Sequence, residues 1–190
     1  MNQPLPRIEK PATYQDVLDA PENMVAELVN GALHLQPRPA ARHGFAGSRL
    51  GIKIGGPFDV GEGDGPGGWW IIDEPEVHLG DDVVVPDIAG WRRDRMPEFP
   101  DSAAIDLVPD WVCEVLSPGT RQFDLTEKRS LYGDRGVEYL WFVDPSARTL
   151  EAFVSTNGDW TLITALKDDE AVSVAPFNAI EFPLSALWPD

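Results

Sequence analysis

The segment most informative about the fold is a short apolar run with one acid inside it: Trp111-Val112-Cys113-Glu114-Val115-Leu116. Its length and its aromatic and β-branched residues are typical of a buried strand. An ionised carboxylate in such a strand costs several kcal/mol unless it is paired or binds a metal ion. Glu114 is therefore the first candidate functional residue. Its neighbour Cys113 points to the opposite face, and we expect it in the core.

A second acid, Asp87, lies inside another apolar run, from Val83 to Trp91, which we predict as one strand interrupted at Pro86. Because proline has no N–H to donate, Pro86 predicts a bulge or a strand end just before Asp87. If Asp87 and Glu114 lie on neighbouring strands and point the same way, their oxygens would suit a hard divalent cation. The alternative is that each acid lies at a strand end or pairs with an arginine.

Downstream of Glu114, we predict a helix from Asp124 to Arg135, ended by Gly136. Asp124, Lys128 and Tyr132 recur every four residues, so they share one face of this helix. That face could direct the Lys128 ammonium back toward the strand ends. Asp124 and Lys128 could equally form an ordinary surface pair, and the spacing favours neither interpretation.

Further out, the sequence predicts one hairpin around Asn30-Gly31 and another around Asn157-Gly158. A first long helix is predicted from Pro39 to Ile54, and a loop rich in glycine and proline from Gly55 to Gly68. Many strands with two long helices between them indicate an α/β domain with a mixed sheet. A length of 190 residues suits one domain with a single core.

The chain is strongly acidic, with a formal net charge of -17. This charge argues against a protein that coats nucleic acid, because phosphate binding needs local lysine and arginine. The segment from Gln36 to Phe58 nevertheless contains no acid and holds four bases: Arg38, Arg42, Arg49 and Lys53. It could form a small basic cleft in an acidic body, or part of a solvated mixed surface.

A single cysteine excludes an internal disulfide and a cysteine-based zinc cluster. No apolar run approaches the roughly 20 residues of a spanning helix. The segment from Met1 to Lys10 lacks the apolar core of a signal peptide. We therefore expect no membrane association and a cytoplasmic location.

Taken together, these motifs resemble the Uma family of putative restriction endonucleases, which belongs to the PD-(D/E)XK nuclease superfamily. The resemblance runs from about Glu27 to Pro145, through the first hairpin, a histidine-bearing helix, Pro86-Asp87 and the run that ends at Pro118. It implies a restriction-endonuclease-like mixed central β-sheet flanked by helices, with additional N-terminal and C-terminal β-hairpins. It also implies a single domain over residues 1–190, with its core at about residues 24–166.

The resemblance assigns roles to particular residues. Asp87 matches the aspartate of the PD element, and Glu114 matches the acid of the (D/E)XK element. The lysine expected two positions after Glu114 is absent, because position 116 is Leu116. Lys128 on the following helix matches the basic residue instead. Asp87, Glu114 and Lys128 are thus the implied catalytic residues, and Asp87 and Glu114 the implied metal ligands.

Three further candidates come from the resemblance and from position. Glu27 matches an acid typical of the family and is a possible third metal ligand. The hairpin also places it opposite His34, so a surface pair is the alternative. His43, at the start of the first long helix, could contact phosphate, or could cap or pack the helix. Arg121 follows the turn at residues 117–120 and is a candidate contact to backbone phosphate.

The implied activity is a Mg²⁺- or Mn²⁺-dependent endonuclease that hydrolyses phosphodiester bonds in DNA. A homodimer would suit cutting both strands of a duplex. The alternative, which the acidity favours, is a catalytically inactive module of the same fold that serves binding or assembly.

Overall fold

The structure, a computed structural model, describes residues 10–38, 40–63 and 65–189. Pro39, the predicted start of the first long helix, and residues 1–9 of the predicted domain lie outside this range. The strands are β1 (Met24–Val29), β2 (Ala32–Pro37), β3 (Trp69–Asp73), β4 (Glu76–Leu79), β5 (Asp82–Val84), β6 (Ile88–Arg92), β7 (Ala104–Ile105), β8 (Trp111–Val115), β9 (Tyr139–Asp144), β10 (Thr149–Thr156), β11 (Asp159–Lys167), β12 (Ala171–Val172) and β13 (Phe182–Pro183).

The helices are fewer than the strands. Helix α1 spans Tyr14–Leu18, and helix α2 spans Ala41–Ile54. Helix α3 is continuous but built from three segments: Arg121–Phe123, a π-helical segment Asp124–Lys128, and Arg129–Arg135. A 3-10 turn, Leu184–Leu187, follows β13.

Two mixed sheets form the body of the protein. One has six strands in the order β11-β10-β9-β8-β6-β3, and the other has five in the order β2-β1-β5-β4-β7. Strands β8 and β9 are parallel in the first sheet, and β4 and β7 are parallel in the second. A small third sheet pairs β12 with β13. This arrangement confirms the predicted α/β class and mixed sheet, with the strands divided between two main sheets.

Both predicted hairpins are confirmed. Asn30 and Gly31 have φ values of 52° and 74°, the left-handed geometry that a type I′ turn requires. The turn sets the register, which pairs Glu27 with His34 as predicted. The second hairpin pairs β10 with β11. The two hairpins are edges of the main sheets, so they extend these sheets and are not separate additions.

The prediction of one strand from Val83 to Trp91 is wrong. Strand β5 ends at Val84 and pairs with β1 and β4, whereas β6 begins at Ile88 and pairs with β3 and β8. The chain therefore passes from one sheet to the other through Pro86 and Asp87. The strand end predicted at Pro86 is confirmed, because proline cannot continue the ladder of hydrogen bonds.

The predicted loop from Gly55 to Gly68 is partly wrong. Gly55–Val60 forms a π-helical turn that continues α2. Its Phe58 is buried, and the ring packs edge-on against Phe177 with centroids 4.7 Å apart. Burial of this aromatic side chain outweighs the low helix propensity of the local glycines and proline.

Side chains of β8 alternate between two buried layers. Trp111, Cys113 and Val115 pack in the layer covered by α2, which confirms the predicted core position of Cys113. Val112 belongs to the opposite layer, which α3 and the five-stranded sheet cover. Glu114 has the same parity as Val112, so its carboxylate points to the space between the sheets and α3. In the described part of the chain, no helix is long and apolar enough to cross a membrane.

Candidate active site

The space beside β8 contains a buried ionic cluster around Lys128. Its Nζ lies 2.7 Å from Oε1 of Glu114 and 2.9 Å from Oε1 of Glu27. Asp124, one turn earlier on α3, has Oδ1 at 3.9 Å from the same Nζ. The Lys128 side chain is only 2% exposed. The interpretation of Asp124 and Lys128 as a surface pair is therefore wrong.

Helix α3 also supplies a hydrogen-bond donor to Glu114. The hydroxyl of Tyr132 donates to Oε1 of Glu114 over 2.5 Å. Tyr132 is fully buried. Asp124, Lys128 and Tyr132 therefore share the helical face that their spacing predicts, and that face is directed at Glu114.

Glu27 holds the cluster from the other sheet. Its Oε1 accepts a hydrogen bond from the Val85 amide over 2.8 Å, and its Oε2 accepts one from Nε2 of Gln36 over 2.7 Å. The surface pair of Glu27 with His34 is not formed, although the two residues are opposite in register. His34 instead stacks on Phe123, with ring centroids 4.1 Å apart. Glu27 turns inward because it bonds Lys128 and the backbone.

Asp87 lies where the chain changes sheet, next to β8. Its Oδ2 accepts a hydrogen bond from the Val115 amide over 2.7 Å. Nε2 of His43, in the first turn of α2, lies 3.2 Å from the same oxygen. The side chains of Asp87 and His43 are 20% and 12% exposed, so each keeps some contact with solvent.

These residues surround one cavity of about 280 Å³. Its lining includes five of the six residues singled out in the sequence: Glu27, His43, Asp87, Glu114 and Lys128. The cavity lies between the two main sheets, at the ends of α2 and α3. The remaining residue, Arg121, is not in the lining. Its guanidinium pairs with Asp144 instead, and its predicted phosphate contact stays a prediction.

Burial and neighbouring charges shift the acid–base properties of the cluster. Burial raises the pKa of Glu114 well above its usual value; Lys128 opposes this rise, and the charges of Asp124 and Asp87 add to it. Burial lowers the pKa of Lys128, but the charges of Glu114 and Glu27 outweigh it and raise that pKa well above normal. Burial also raises the pKa of Asp124, to about 6. Lys128 is thus held protonated among crowded carboxylates.

The pKa of His43 is raised. Burial of the imidazole lowers it, but the hydrogen bond to Asp87 and the charge of that carboxylate outweigh burial. The His43 imidazole therefore holds its proton more tightly than a free histidine does, and its Nε2 can donate to Asp87.

The donor atoms of the cavity suit a hard divalent cation. Among the described residues, no group of three or more His, Cys, Asp or Glu side chains is arranged to hold a metal ion. Mg²⁺ commonly needs only one or two carboxylates, completed by water and substrate phosphates. The protein contacts use Oδ2 of Asp87 and Oε1 of Glu114. In the described part of the chain, the second oxygen of each carboxylate takes no hydrogen bond or ion pair, so this donor set fits a cation that needs one or two carboxylates.

Three residues of the site, Gln36, Arg38 and Asp124, were not among those predicted from the sequence. All three line the cavity. A signal was present for Asp124, which shares a helical face with Lys128. Gln36 is a diagonal neighbour of Glu27 across the hairpin. Long side chains at such diagonal positions of antiparallel strands can contact each other, so the hairpin register allows the bond between Gln36 and Glu27.

Comparisons with known proteins agree with this fold. The structure resembles the crystal structure of a "putative nuclease belonging to DUF820" from Anabaena variabilis, with a TM-score of 0.74. The two chains are 22% identical, and the match covers 93% of this chain and 97% of that one. At this identity the likeness shows the fold. No curated protein matches the sequence. A family model described as "Putative restriction endonuclease" matches residues 11–185, and the chain therefore belongs to the Uma2 family.

Proposed function

We propose that the protein is a Mg²⁺- or Mn²⁺-dependent endonuclease that hydrolyses phosphodiester bonds in DNA. One observation carries this proposal. Asp87 at a strand junction, Glu114 in a central strand and Lys128 on a helix line the same cavity, although they are far apart in sequence. Membership of the Uma2 family supports a nuclease function in general terms.

We assign Asp87 and Glu114 as the residues that hold the divalent ion. When bound, the ion would polarise the phosphodiester and lower the pKa of a bound water. The Val115 amide and His43 fix Oδ2 of Asp87, and Tyr132 fixes Oε1 of Glu114. These hydrogen bonds orient the carboxylates before substrate arrives, which is what an efficient electrostatic site requires.

Lys128 supplies a positive charge beside the scissile phosphate. Because neighbouring carboxylates raise its pKa, it stays protonated and can offset negative charge that builds up in the transition state. Glu27 was predicted as a possible metal ligand. Since both of its oxygens already accept hydrogen bonds or an ion pair, we propose that it positions Lys128. His43 also lines the cavity, where it can contact a phosphate oxygen.

We further propose that the two sheets act as one nuclease domain, because the cavity takes residues from both. A homodimer would present two such cavities to a duplex. Light scattering tests this state: a mass of twice 20.9 kDa supports it, and a mass of 20.9 kDa contradicts it. The cytoplasmic location also stays a prediction.

The second candidate function is an inactive binding or assembly module of the same fold. The ionic cluster favours it in one respect. Lys128, Glu27, Glu114 and Tyr132 satisfy one another, so these residues also have a purely structural use.

A cleavage assay separates the two candidates. Supercoiled and single-stranded DNA are incubated with the wild type, with Asp87→Asn, and with Asp169→Asn as a control at an exposed acid. We expect nicking in Mg²⁺ or Mn²⁺ by the wild type and the control. The cleavage rate of Asp87→Asn should be at least about 100-fold lower. Equal cleavage by all three proteins would indicate a contaminant and contradict the proposal. No cleavage by any of them would favour the inactive module.

A further inference from the structure

Helix α2 carries a row of basic residues along one flank. Arg42, Arg49 and Lys53 are seven and four residues apart, a spacing that places them on one side of a helix. This flank lies beside the buried face formed by Ala46, Leu50 and Ile54. Arg42 and Arg49 are exposed and Lys53 is half-buried.

The row leads to the active-site cavity. Arg38, just before α2, lines that cavity, and so does His43 in the first turn of the helix. From Arg42 to Lys53 the helix rises about 16 Å, which is about five steps along one strand of B-DNA. A polyanion that follows the flank therefore reaches the cavity at the N-terminal end of α2.

Within the part of the chain that the structure describes, these bases lack acidic partners, unlike most of the other arginines. Among the described residues, no carboxylate lies within 4.0 Å of Arg38, Arg42, Arg49 or Lys53. By contrast, other arginines pair with acids: Arg92 and Arg95 with Asp110, Arg93 with Asp59, Arg121 with Asp144, and Arg135 with Asp82.

The contrast matters because the whole chain is acidic. With a net charge of -17, most of the surface repels a polyanion. Screening limits that repulsion to about 10 Å at moderate salt, so the local charge decides where a polyanion can approach. The segment from Gln36 to Phe58 has four bases and no acid, and α2 forms most of it.

We propose that the flank of α2 formed by Arg42, Arg49 and Lys53, together with Arg38, binds the phosphate backbone of a nucleic-acid strand and guides one phosphodiester into the cavity. The inference rests on the proposed function, for which it identifies the substrate-binding surface. Contacts of this kind fix the position of the strand and do not read its sequence. The surface therefore predicts binding that depends strongly on salt and weakly on base sequence.

The test measures binding in the absence of cleavage. Asp87→Asn is the parent protein, and fluorescence anisotropy follows its binding to short labelled duplex DNA, single-stranded DNA and single-stranded RNA in Mg²⁺ at several salt concentrations. Arg42→Gln and Arg49→Gln are added together to the parent. The matched control adds Arg148→Gln and Lys167→Gln, two exposed bases near the β10–β11 edge of the six-stranded sheet, which change the net charge equally.

For the best-bound polynucleotide, we expect the α2 substitutions to lower affinity at least about tenfold at low salt. The slope of log K against log salt should fall by about two, one for each lost phosphate contact. The control should keep the parent slope. The three polynucleotides show which kind of strand the surface prefers, and preference for any of them supports the inference.

Two results would overturn the inference: equal losses in the α2 variant and the control, or no binding of any polynucleotide by the parent. Failure of the proposed function looks different. Binding that depends on α2, without cleavage by the wild type, would support the surface and contradict the nuclease. Cleavage by the wild type with unchanged binding by the α2 variant would support the nuclease and contradict the binding surface on α2.

Discussion

Nζ of Lys128 lies 2.7 Å from Oε1 of Glu114, and the two side chains are only 2% and 3% exposed. Two charges buried in this way lose hydration energy, which their attraction recovers only when further hydrogen bonds satisfy the remaining atoms. Tyr132 and Glu27 supply such contacts. The stability of the pair therefore depends on its neighbours, and removing any one of these side chains should destabilise the others.

Replacing the Lys128 ammonium should lower the free energy of unfolding more than any other change in this cluster. In Lys128→Met, the buried carboxylates of Glu27, Glu114 and Asp124 lose their counter-charge, and we expect the free energy of unfolding to fall by about 3–5 kcal/mol. Urea unfolding in EDTA measures this change. Lys167→Met is the control, because the exposed Lys167 should change stability by no more than about 0.5 kcal/mol. A loss below about 1 kcal/mol for Lys128→Met would show that the cluster is not a coupled unit.

Two tyrosines allow a matched test of the hydrogen bond to Glu114. Tyr132 donates to Glu114 in a buried setting, and Tyr14 donates to Glu76 in a part-buried one over 2.7 Å. We expect Tyr132→Phe to lower the free energy of unfolding by about 1–3 kcal/mol, since it leaves a buried acceptor short of a donor. Tyr14→Phe should cost less than about 1 kcal/mol. Thermal unfolding compares the two, and equal losses would rule out a special role for Tyr132.

Much of this site could be predicted from local pattern. The Asn30-Gly31 turn fixes the register that places Glu27, and the four-residue spacing on α3 aligns Lys128 with Tyr132. Glu114 stands out because an acid is costly in an apolar strand. Each of these signals depends on residues that are close in sequence, so the sequence carries them directly.

Asp124 should make stability depend on pH. Burial raises its pKa from 3.8 to about 6, so the folded protein binds a proton more tightly than the unfolded chain does. The resulting stability is present below about pH 4 and is lost as pH rises through 6. Relative to Asp124→Asn, the wild type should therefore lose up to about 3 kcal/mol between these pH values.

Urea unfolding in EDTA across this pH range measures the difference. Asp16 is a control of opposite sign, because hydrogen bonds from Thr13 lower its pKa. Relative to Asp16→Asn, the wild type should gain stability as pH rises. A constant difference between the wild type and Asp124→Asn would contradict the raised pKa.

Two helical glycines should respond oppositely to the same substitution. A Cβ added at Gly44 in α2 meets no atom within 4 Å, whereas one at Gly133 in α3 would lie 2.5 Å from the Gly158 carbonyl oxygen. We expect Gly44→Ala to raise the free energy of unfolding by about 0.5–1 kcal/mol. Gly133→Ala should lower the free energy of unfolding, because the backbone at Gly158 or in α3 must move to make room for the Cβ. Urea midpoints measure both, and changes of the same sign would contradict the packing described for these helices.

The parts that could not be predicted depend on long-range pairing. The run from Val83 to Trp91 has one apolar pattern, but its halves join different sheets. Only the pairing partners, which lie elsewhere in the chain, decide this. Likewise, nothing near Arg121 indicates that Asp144 pairs with it. The positions of Gln36 and Arg38 at the cavity follow from the way the two sheets face each other.

Calorimetric titration with Mn²⁺ shows directly whether Asp87 and Glu114 hold a divalent ion. The wild type, Asp87→Asn and Glu114→Gln are compared with Asp169→Asn as the control at an exposed acid. We expect saturable binding at one site in the wild type and the control, and binding weakened at least about tenfold in each of the other two variants. Equal binding by all four proteins, or none by the wild type, would contradict the assignment of Asp87 and Glu114 as the metal-binding residues of a nuclease.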